Sequence, residues 1–349
     1  MNCWDHLKGH TEQRELFRRS IQNGRLSHAY VLAGPEGIGK RLFARLMAQS
    51  IFCREHPLEE LNVCGECRVC RSFAANTWPD YIEVGPPAGK NSIPIDAIAG
   101  AEERRGREGL CYELSMAPQS SERRVAVIND AALMTTEAAN ALLKTLEEPP
   151  ADSLILLVSD APDSLLPTIR SRCQTVRFFP LSRPDVEAIL LSEQLAESEQ
   201  EARTVAGLSE GSLETARQLL NPDLRKLNQT VCRELAQWEA MKPLAVAGSV
   251  VEGIEQMSAD TPEQRRNAQW LLRFIADAVE EHLRALVQGD LSEPLTQRLG
   301  AKRGVDLLTS LLERTVTASR QIDGSAPVKL VLEALFDDLA RQCRAGMKR

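Results

Sequence analysis

Residues 34–40 have the types and the spacing of a loop that binds phosphate groups. The loop follows an apolar run, Ala29–Ala33, and leads into a helical pattern that extends through Phe52. In the pattern G-x-x-x-x-G-K, the glycines let backbone N–H groups surround a polyphosphate, and the lysine reaches the outer phosphates. A tight turn is the alternative for the glycines alone. The residues that would form this phosphate site are Gly34, Gly37, Gly39 and Lys40.

The usual ligands for a metal ion beside this loop are missing. The residue after Lys40 is normally Ser or Thr, whose hydroxyl binds Mg²⁺, but here it is Arg41, whose guanidinium repels a cation. The third apolar run ends in Asn129 and Asp130 instead of Asp and Glu, which weakens one metal ligand and shortens the other carboxylate. Phosphoryl transfer without Mg²⁺ loses its main charge stabilisation. The sequence therefore predicts a degenerate nucleotide site that does not hydrolyse ATP, and it leaves open whether ATP or ADP binds.

Four of the nine cysteines are clustered, and their spacing is typical of a zinc site. Three follow the pattern Cys-x2-Cys-x2-Cys, and the fourth lies eleven residues upstream. Four thiolates form a closed tetrahedral Zn²⁺ site, which has a structural role because no position stays open for a reacting water. The alternatives are reduced free cysteines on a loop, or His56 as the fourth ligand. The predicted ligands are Cys53, Cys64, Cys67 and Cys70.

Five short apolar runs alternate with helical patterns in the first 180 residues, which predicts an α/β fold class with a parallel sheet. The clearest helix is predicted for residues 136–148, with Thr135 or Thr136 as its N-cap and two prolines after it. The expected strands are residues 29–33, 81–84, 125–129, 154–159 and 174–178.

Only helical patterns remain after Pro180, with breaks near Gly207 and Gly211. The change in pattern divides the chain. We expect an α/β domain over residues 1–180, a small helical domain over 181–222 and an all-helical domain over 223–349.

The composition is that of an ordinary globular protein. Of 349 residues, 43% are hydrophobic and 26% are charged, which excludes wholesale disorder. The net charge of −7 excludes a surface that binds nucleic acid throughout, although a local basic patch is compatible with it. No apolar run approaches the length of a membrane span, and the first residues lack the layout of a signal peptide. We expect a soluble, cytoplasmic protein without a membrane partner.

Taken together, these features resemble the bacterial clamp-loader family of AAA+ proteins. The resemblance covers about residues 1–220 and includes residues 23–30 (NGRLSHAY), the phosphate loop and the four-cysteine module. It is densest in residues 138–150 (AANALLKTLEEPP) and in Ser171-Arg172-Cys173. The resemblance implies an AAA+ P-loop domain with an inserted zinc module at about residues 53–70, a small helical lid domain and an all-helical C-terminal collar.

In that family a ring-like pentamer uses ATP to open a sliding clamp and to place the clamp on primed DNA. The resemblance implies that Arg172 is an arginine finger, supplied in trans to the nucleotide of a neighbouring subunit. A simple loop tether is the alternative for Arg172, and Arg170 is a second candidate for the finger. Ser159 takes the position of a residue that senses the γ-phosphate, or it is an ordinary strand-end serine. Glu214 stands where hydrolysing members have an arginine that contacts nucleotide.

Two functions follow from the resemblance. The first is a non-hydrolysing subunit that donates Arg172 and joins motor (gamma/tau) subunits and a delta subunit in a hetero-pentamer. It would meet the sliding clamp and primer–template DNA through that complex. The second is an ATP-hydrolysing motor subunit of the gamma/tau type, against which Arg41, Asn129 and Glu214 count.

Two further classes of protein fit the sequence poorly. A zinc-dependent DNA-binding protein needs basic residues around the metal, but residues 55–66 carry four glutamates and neither lysine nor arginine. Polymerase chemistry needs paired metal-binding carboxylates in a different architecture, which the sequence does not show.

Overall fold

The five predicted strands form one parallel sheet. Val31 in the first strand lies opposite Leu157, and Ala126 lies opposite Ile155. The three inner strands are buried along their whole length, as parallel strands covered on both faces should be. The strands are β1 (Ala29–Ala33), β2 (Tyr81–Val84), β3 (Arg124–Ile128), β4 (Ser153–Ser159) and β5 (Gln174–Arg177), in the spatial order β2-β3-β4-β1-β5. The predicted α/β fold class is therefore confirmed, and each strand boundary differs from its prediction by at most one residue.

The structure is a computed structural model that describes residues 3–87, 90–236, 241–288, 301–324 and 326–347. The chain divides into two units, Met1–Arg217 and Gln218–Arg349, and the sheet lies in the first. Helices of this first unit connect the strands and follow the last of them. They are α1 (Thr11–Gln22), α2 (Lys40–Phe52), α3 (Arg68–Ala74), α4 (Ile95–Ala99), α5 (Leu110–Ser115), α6 (Thr136–Glu147), α7 (Pro167–Arg170), α8 (Arg183–Ser192), α9 (Glu199–Leu208) and the start of α10 (Leu213–Leu220).

Local sequence signals set the ends of α6. Thr135 is the N-cap, and its side-chain oxygen accepts a hydrogen bond from a backbone N–H in the first turn. Leu142 and Leu146 lie one turn apart and are buried in the core of the first unit. The helix ends at Glu147, one residue earlier than predicted, because the two prolines that follow cannot continue it. Glu147 therefore stands at the carboxyl end of α6 with half of its side chain exposed.

Helices α8, α9 and the start of α10 form the helical part that follows the sheet. The predicted break near Gly207 is confirmed, because α9 ends one residue later, at Leu208, and α10 begins at Leu213. The predicted break at Gly211 is confirmed, since its φ of 78° ends the connection before α10. A Cβ atom on Gly211 would lie 2.4 Å from the Leu181 carbonyl oxygen, so the close approach also requires glycine here.

In the part of the second unit that the structure describes, all regular secondary structure is helical, as predicted. The periodic residues Val331, Leu335 and Leu339 are buried in its core together with Leu271 and Val250. The described helices of this unit are α11 (Pro222–Ala236), α12 (Pro243–Met257), α13 (Thr261–Gln288), α14 (Ala301–Asp323) and α15 (Val328–Met347). Across the residues that the structure describes, every helix is too short or too polar to cross a membrane.

Candidate functional site

The predicted phosphate loop connects β1 to α2, as the sequence pattern requires. Lys40 is the first residue of α2, and Gly39 before it has a φ of 95°. The Lys40 ammonium is buried and donates hydrogen bonds to the carbonyls of Gly34 (2.6 Å) and Pro35 (2.5 Å). These two carbonyls therefore occupy N–H donors of Lys40 that would otherwise contact a bound phosphate. The structure brings the predicted loop residues together, with the lysine turned back onto the loop.

Carboxylates surround the Lys40 ammonium. Burial lowers the pKa of Lys40, and Asp160, Glu36 and Asp130 counteract this shift. Burial raises the pKa of Glu36, and repulsion from Asp160, Glu214 and Asp130 raises it further. Burial and Asp160 likewise raise the pKa of Asp130. A polyphosphate at this loop would therefore meet several negative charges around a single ammonium group.

The start of α10 packs directly on the phosphate loop. The Leu213 N–H donates to the Gly37 carbonyl over 2.8 Å. A Cβ atom on Gly37 would lie 2.4 Å from Ser212 Oγ and 2.7 Å from Glu214 N, and the φ of Gly37 is 73°. Gly37 is therefore required by this contact as well as by its own backbone conformation. The contact brings Glu214, the residue that replaces the family's arginine, next to the loop.

The two residues that replace metal ligands are both bound to Glu83. Arg41 makes an ion pair of 2.9 Å with Glu83 Oε1, and the Asn129 amide donates to the same oxygen over 2.7 Å. The other carboxylate oxygen accepts from Tyr81 OH (2.9 Å) and pairs with Arg45 (3.1 Å). Burial works to raise the pKa of Glu83, but these donors outweigh it and the pKa lies below its ordinary value. A network of hydrogen bonds and ion pairs thus engages the two substituted side chains.

Ser159 lies at the end of β4 and is buried. Its backbone carbonyl accepts a hydrogen bond from Gly34 N–H over 3.2 Å. Its hydroxyl is also buried and finds no hydrogen-bond partner in the part of the chain that the structure describes. A buried hydroxyl of this kind costs folding free energy, so its position next to the loop is consistent with the predicted phosphate-sensing role.

We expect the exchange Asn129→Asp to destabilise the first unit at neutral pH. The change replaces a donor 2.7 Å from Glu83 by a second carboxylate and removes a charge-assisted hydrogen bond worth about 1.5–3 kcal/mol. The pKa of one carboxyl of the pair is then raised. The destabilisation is present above that raised pKa and disappears as the pair takes up a proton. Urea unfolding at about pH 7.5 and about pH 5 measures this difference.

The double variant Glu83→Gln/Asn129→Asp is the control for this prediction. It removes the second negative charge, so its free energy of unfolding should change little between the two pH values. A single Asn129→Asp variant as stable as the wild type at about pH 7.5 would show that Glu83 and residue 129 do not interact.

A second prediction concerns the carboxylates around Lys40. We expect inorganic tripolyphosphate to bind more tightly to Glu36→Gln than to the wild type, by on the order of tenfold at about pH 7.5. Wild-type affinity should rise as the pH falls, because Glu36 and Asp130, whose pKa values are raised, take up protons first. Isothermal titration calorimetry measures both effects. Glu255→Gln, an exposed glutamate of the second unit, is the control, and equal affinities of Glu36→Gln and wild type would contradict the prediction.

Arg172 follows α7 in the turn before β5. One guanidinium nitrogen, Nη2, pairs with Glu147 Oε1 over 2.6 Å. The other, Nη1, donates to the Thr168 carbonyl (2.9 Å) and to Ser171 Oγ (3.1 Å). The side chain keeps 35% of its surface exposed. Arg170 instead pairs with Asp163 over 2.8 Å. The geometry holds the Arg172 guanidinium in a fixed orientation at the protein surface.

The four predicted cysteines converge. The Sγ atoms of Cys53, Cys64, Cys67 and Cys70 all lie within 4.8 Å of one another. The Sγ atom of Cys64 lies 3.7 Å from that of Cys53 and 3.8 Å from that of Cys70. Tetrahedral Zn–S bonds of about 2.3 Å require sulfur–sulfur distances of about 3.8 Å, so the cluster fits Zn²⁺.

Backbone N–H groups prepare the cluster for a metal ion. Those of Cys67 and Cys70 point at the Sγ atoms of Cys64 (3.3 Å) and Cys67 (3.4 Å). Burial raises the pKa of Cys64, but backbone donors at Cys67 and Glu66 outweigh it and bring the pKa to about 7. His56 lies 3.6 Å from Glu60, outside the cluster. The described geometry therefore favours Cys53 over His56 as the fourth ligand.

Several residues of these sites were missed by the sequence analysis. Glu83 and Glu147, which hold Arg41 and Arg172, are the partners of predicted residues. Cys3 is a fifth thiol near the cluster: burial raises its pKa, and repulsion from Cys64 and Cys53 raises it further. Glu83 could have been noticed in the sequence as the single carboxylate of an otherwise apolar strand. In the structure this strand, β2, ends beside Asn129.

Comparison with known proteins identifies relatives of this chain. A family model described as "DNA polymerase III, delta subunit" matches residues 9–182. The DNA polymerase III subunit delta' of Escherichia coli is 31% identical over 264 residues, which cover 75% of this chain and 73% of that protein. The subunit delta' of Pseudomonas aeruginosa is 36% identical over 224 residues, which cover 63% of this chain and 65%, just under two thirds, of that protein.

A similarity over a smaller part of the chain extends to another subunit. The DNA polymerase III subunit gamma/tau of Mycobacterium tuberculosis is 35% identical over 173 residues, which cover 49% of this chain and 28% of that protein. The sheet order, the phosphate loop after β1 and the helical part packed on that loop define a P-loop protein of the AAA+ class. Within this class, the chain belongs to the family of DNA polymerase III delta' subunits.

Proposed function

We propose that this chain is a clamp-loader subunit that does not hydrolyse ATP itself and that donates Arg172 to the nucleotide site of a neighbouring motor subunit. Its partners are gamma/tau motor subunits and a delta subunit in a hetero-pentamer, and it acts on the sliding clamp and on primer–template DNA through that complex. The relatives named delta' and gamma/tau support the choice of partners. The cytoplasm is the proposed location.

The binding of Arg41 and Asn129 to Glu83 carries the proposal that the chain does not hydrolyse ATP. Magnesium beside a phosphate loop needs a hydroxyl at the first position and a carboxylate at the second. Both positions hold donors here, and both donors contact one oxygen of Glu83. A metal ion at this place would meet the Arg41 guanidinium, and the Asn129 amide, which is already bound to Glu83, supplies no negative charge to hold the ion. The nucleotide site at Gly34, Gly37, Gly39, Lys40, Asp130 and Ser159 is therefore proposed to be degenerate.

The orientation of Arg172 supports its role as an arginine finger. Three acceptors fix its guanidinium at the surface of the first unit, so less side-chain entropy is lost when it meets a phosphate. A permanently charged donor near a γ-phosphate stabilises the charge that develops during phosphoryl transfer. The reaction itself takes place on the neighbouring subunit, which supplies its own phosphate loop and metal ion.

Zinc is the proposed metal of the four-cysteine cluster. Cys53, Cys64, Cys67 and Cys70 would hold the ion, which in such a site joins chain segments and takes no part in chemistry. The proposed domains are an AAA+ base domain over residues 1–180, a lid over residues 181–222 and a collar over residues 223–349, which assembles the pentamer.

The function is tested by comparing the chain alone with the reconstituted complex. The purified chain with ATP and Mg²⁺ should release no phosphate above background, whereas motor subunits, delta subunit and this chain together should hydrolyse ATP and load the clamp on primed DNA. Omission of this chain should abolish loading. ATP turnover by the chain alone would contradict the proposal and favour a motor subunit of the gamma/tau type.

A further inference from the structure

A fifth cysteine lies against the four-cysteine cluster. Cys3 begins a short 3-10 turn, Cys3–His6, and its backbone N–H donates to the Val63 carbonyl over 3.1 Å, directly before Cys64. A Cβ atom on Gly65 would lie 3.0 Å from Cys3 Sγ. The Cys3 thiol therefore packs on the loop that connects Cys64 to the next ligand.

The neighbouring Trp4 holds Cys3 in this position. The Trp4 indole is 3% exposed, meets the Phe43 ring edge-on with centroids 5.2 Å apart, and donates from Nε1 to Ser50 Oγ over 2.9 Å. Ser50 lies in the last turn of α2, and Cys53 caps that helix. The turn is thus anchored on both chain segments that supply the first two cysteines of the cluster. Cys3 is therefore held beside the cluster by an anchored turn, although its sulfur is not one of the four that lie within 4.8 Å of one another.

We propose that Cys3 is a reserve thiolate ligand of the metal centre, which completes a four-sulfur Zn²⁺ site when Cys53 is lost. This inference rests on the proposal that the cluster holds zinc. Cys53 is the exchangeable ligand because the other three belong to one short loop and its helix, where backbone N–H groups fix two of the sulfurs. Zn²⁺ has no geometric preference of its own, so one thiolate replaces another without a change of coordination number.

Cobalt substitution in the full-length chain tests the inference. Co²⁺ bound by four thiolates has stronger sulfur-to-metal charge-transfer absorption than Co²⁺ bound by three. We expect wild type, Cys3→Ser and Cys53→Ser each to give the four-thiolate spectrum, and Cys3→Ser/Cys53→Ser to give the three-thiolate one. In zinc competition with a chelator, Cys53→Ser should bind within about tenfold of wild type, and the double variant on the order of 100-fold more weakly. Cys53→Ser/Cys232→Ser, which removes an exposed cysteine of the second unit, is the control and should behave like Cys53→Ser.

Three results would overturn the inference. The first is a Cys53→Ser chain whose cobalt spectrum and zinc affinity equal those of Cys3→Ser/Cys53→Ser. The second is a Cys53→Ser chain that fails to fold in the presence of zinc while Cys3→Ser folds normally, because a reserve ligand would have preserved the site. The third is a wild-type chain that binds neither cobalt nor zinc, which removes the zinc proposal itself and is recognised without any variant.

Discussion

Replacement of Arg172 by alanine should lower ATP turnover at the neighbouring subunit's site by about 10³–10⁵-fold, the usual contribution of an arginine finger. The Arg172 side chain is 35% exposed and its guanidinium lies 2.6 Å from Glu147, so its removal deletes an ion pair at the surface and leaves the core unchanged. Loss of this partly exposed ion pair costs at most about 1 kcal/mol of folding free energy. Single-turnover ATP hydrolysis in the reconstituted complex, with clamp and primed DNA, measures the effect.

Arg170→Ala is the matched control for this experiment. Arg170 lies two residues away and pairs with Asp163, so its loss should leave the hydrolysis rate within about twofold of wild type. Gel filtration of both variant complexes should give the wild-type elution volume, since neither arginine lies in the second unit. If the Arg172→Ala complex hydrolyses ATP at the wild-type rate, Arg172 is not an arginine finger and only tethers its loop.

Removal of zinc should destabilise the first unit strongly. Structural zinc sites contribute about 10–16 kcal/mol of binding free energy in isolated modules, and part of this stabilises the fold. A loss of several kcal/mol in a unit of this size lowers the melting temperature by roughly 10 °C. We expect one zinc ion per chain by elemental analysis, and this drop in melting temperature after chelation or in Cys64→Ser/Cys67→Ser.

The loop around the cluster should also become accessible to proteases. Residues 54–66 span most of the segment between the first and last ligands, and limited trypsin digestion should cut near Arg54 only after chelation. Cys232→Ser, outside the cluster, should keep the metal content and the melting temperature of the wild type. A metal-free chain with an unchanged melting temperature would contradict the zinc assignment.

The fold was predictable because its signals are local. Four of the five strands are short, nearly continuous apolar runs, and the phosphate loop combines glycine spacing with its position between β1 and α2. The two prolines after α6 predicted where this helix ends. The break near Gly207 was predicted to within one residue, since a single glycine near the end of a helix costs only about 1 kcal/mol and α9 continues to Leu208.

The partners of the predicted site residues could not be found in this way. Glu83 meets Asn129 because β2 lies beside β3 in the sheet, and it meets Arg41 because of how α2 packs; no local pattern specifies either arrangement. Glu147 contacts Arg172 across 25 residues of chain, and the contact depends on how α6 packs on α7. Residue type and spacing thus predicted candidate side chains for the chemistry, while tertiary structure determined which partners hold them.

The arrangement around Glu83 also has an evolutionary consequence. Replacement of Arg41 by serine removes a counter-charge from Glu83, and replacement of Asn129 by aspartate sets two carboxylates against each other. A metal-binding residue at either position is therefore unfavourable in the present surroundings of Glu83. If the chain does not hydrolyse ATP, as we propose, a lineage with these three residues loses stability at the first single substitution that would rebuild the metal site.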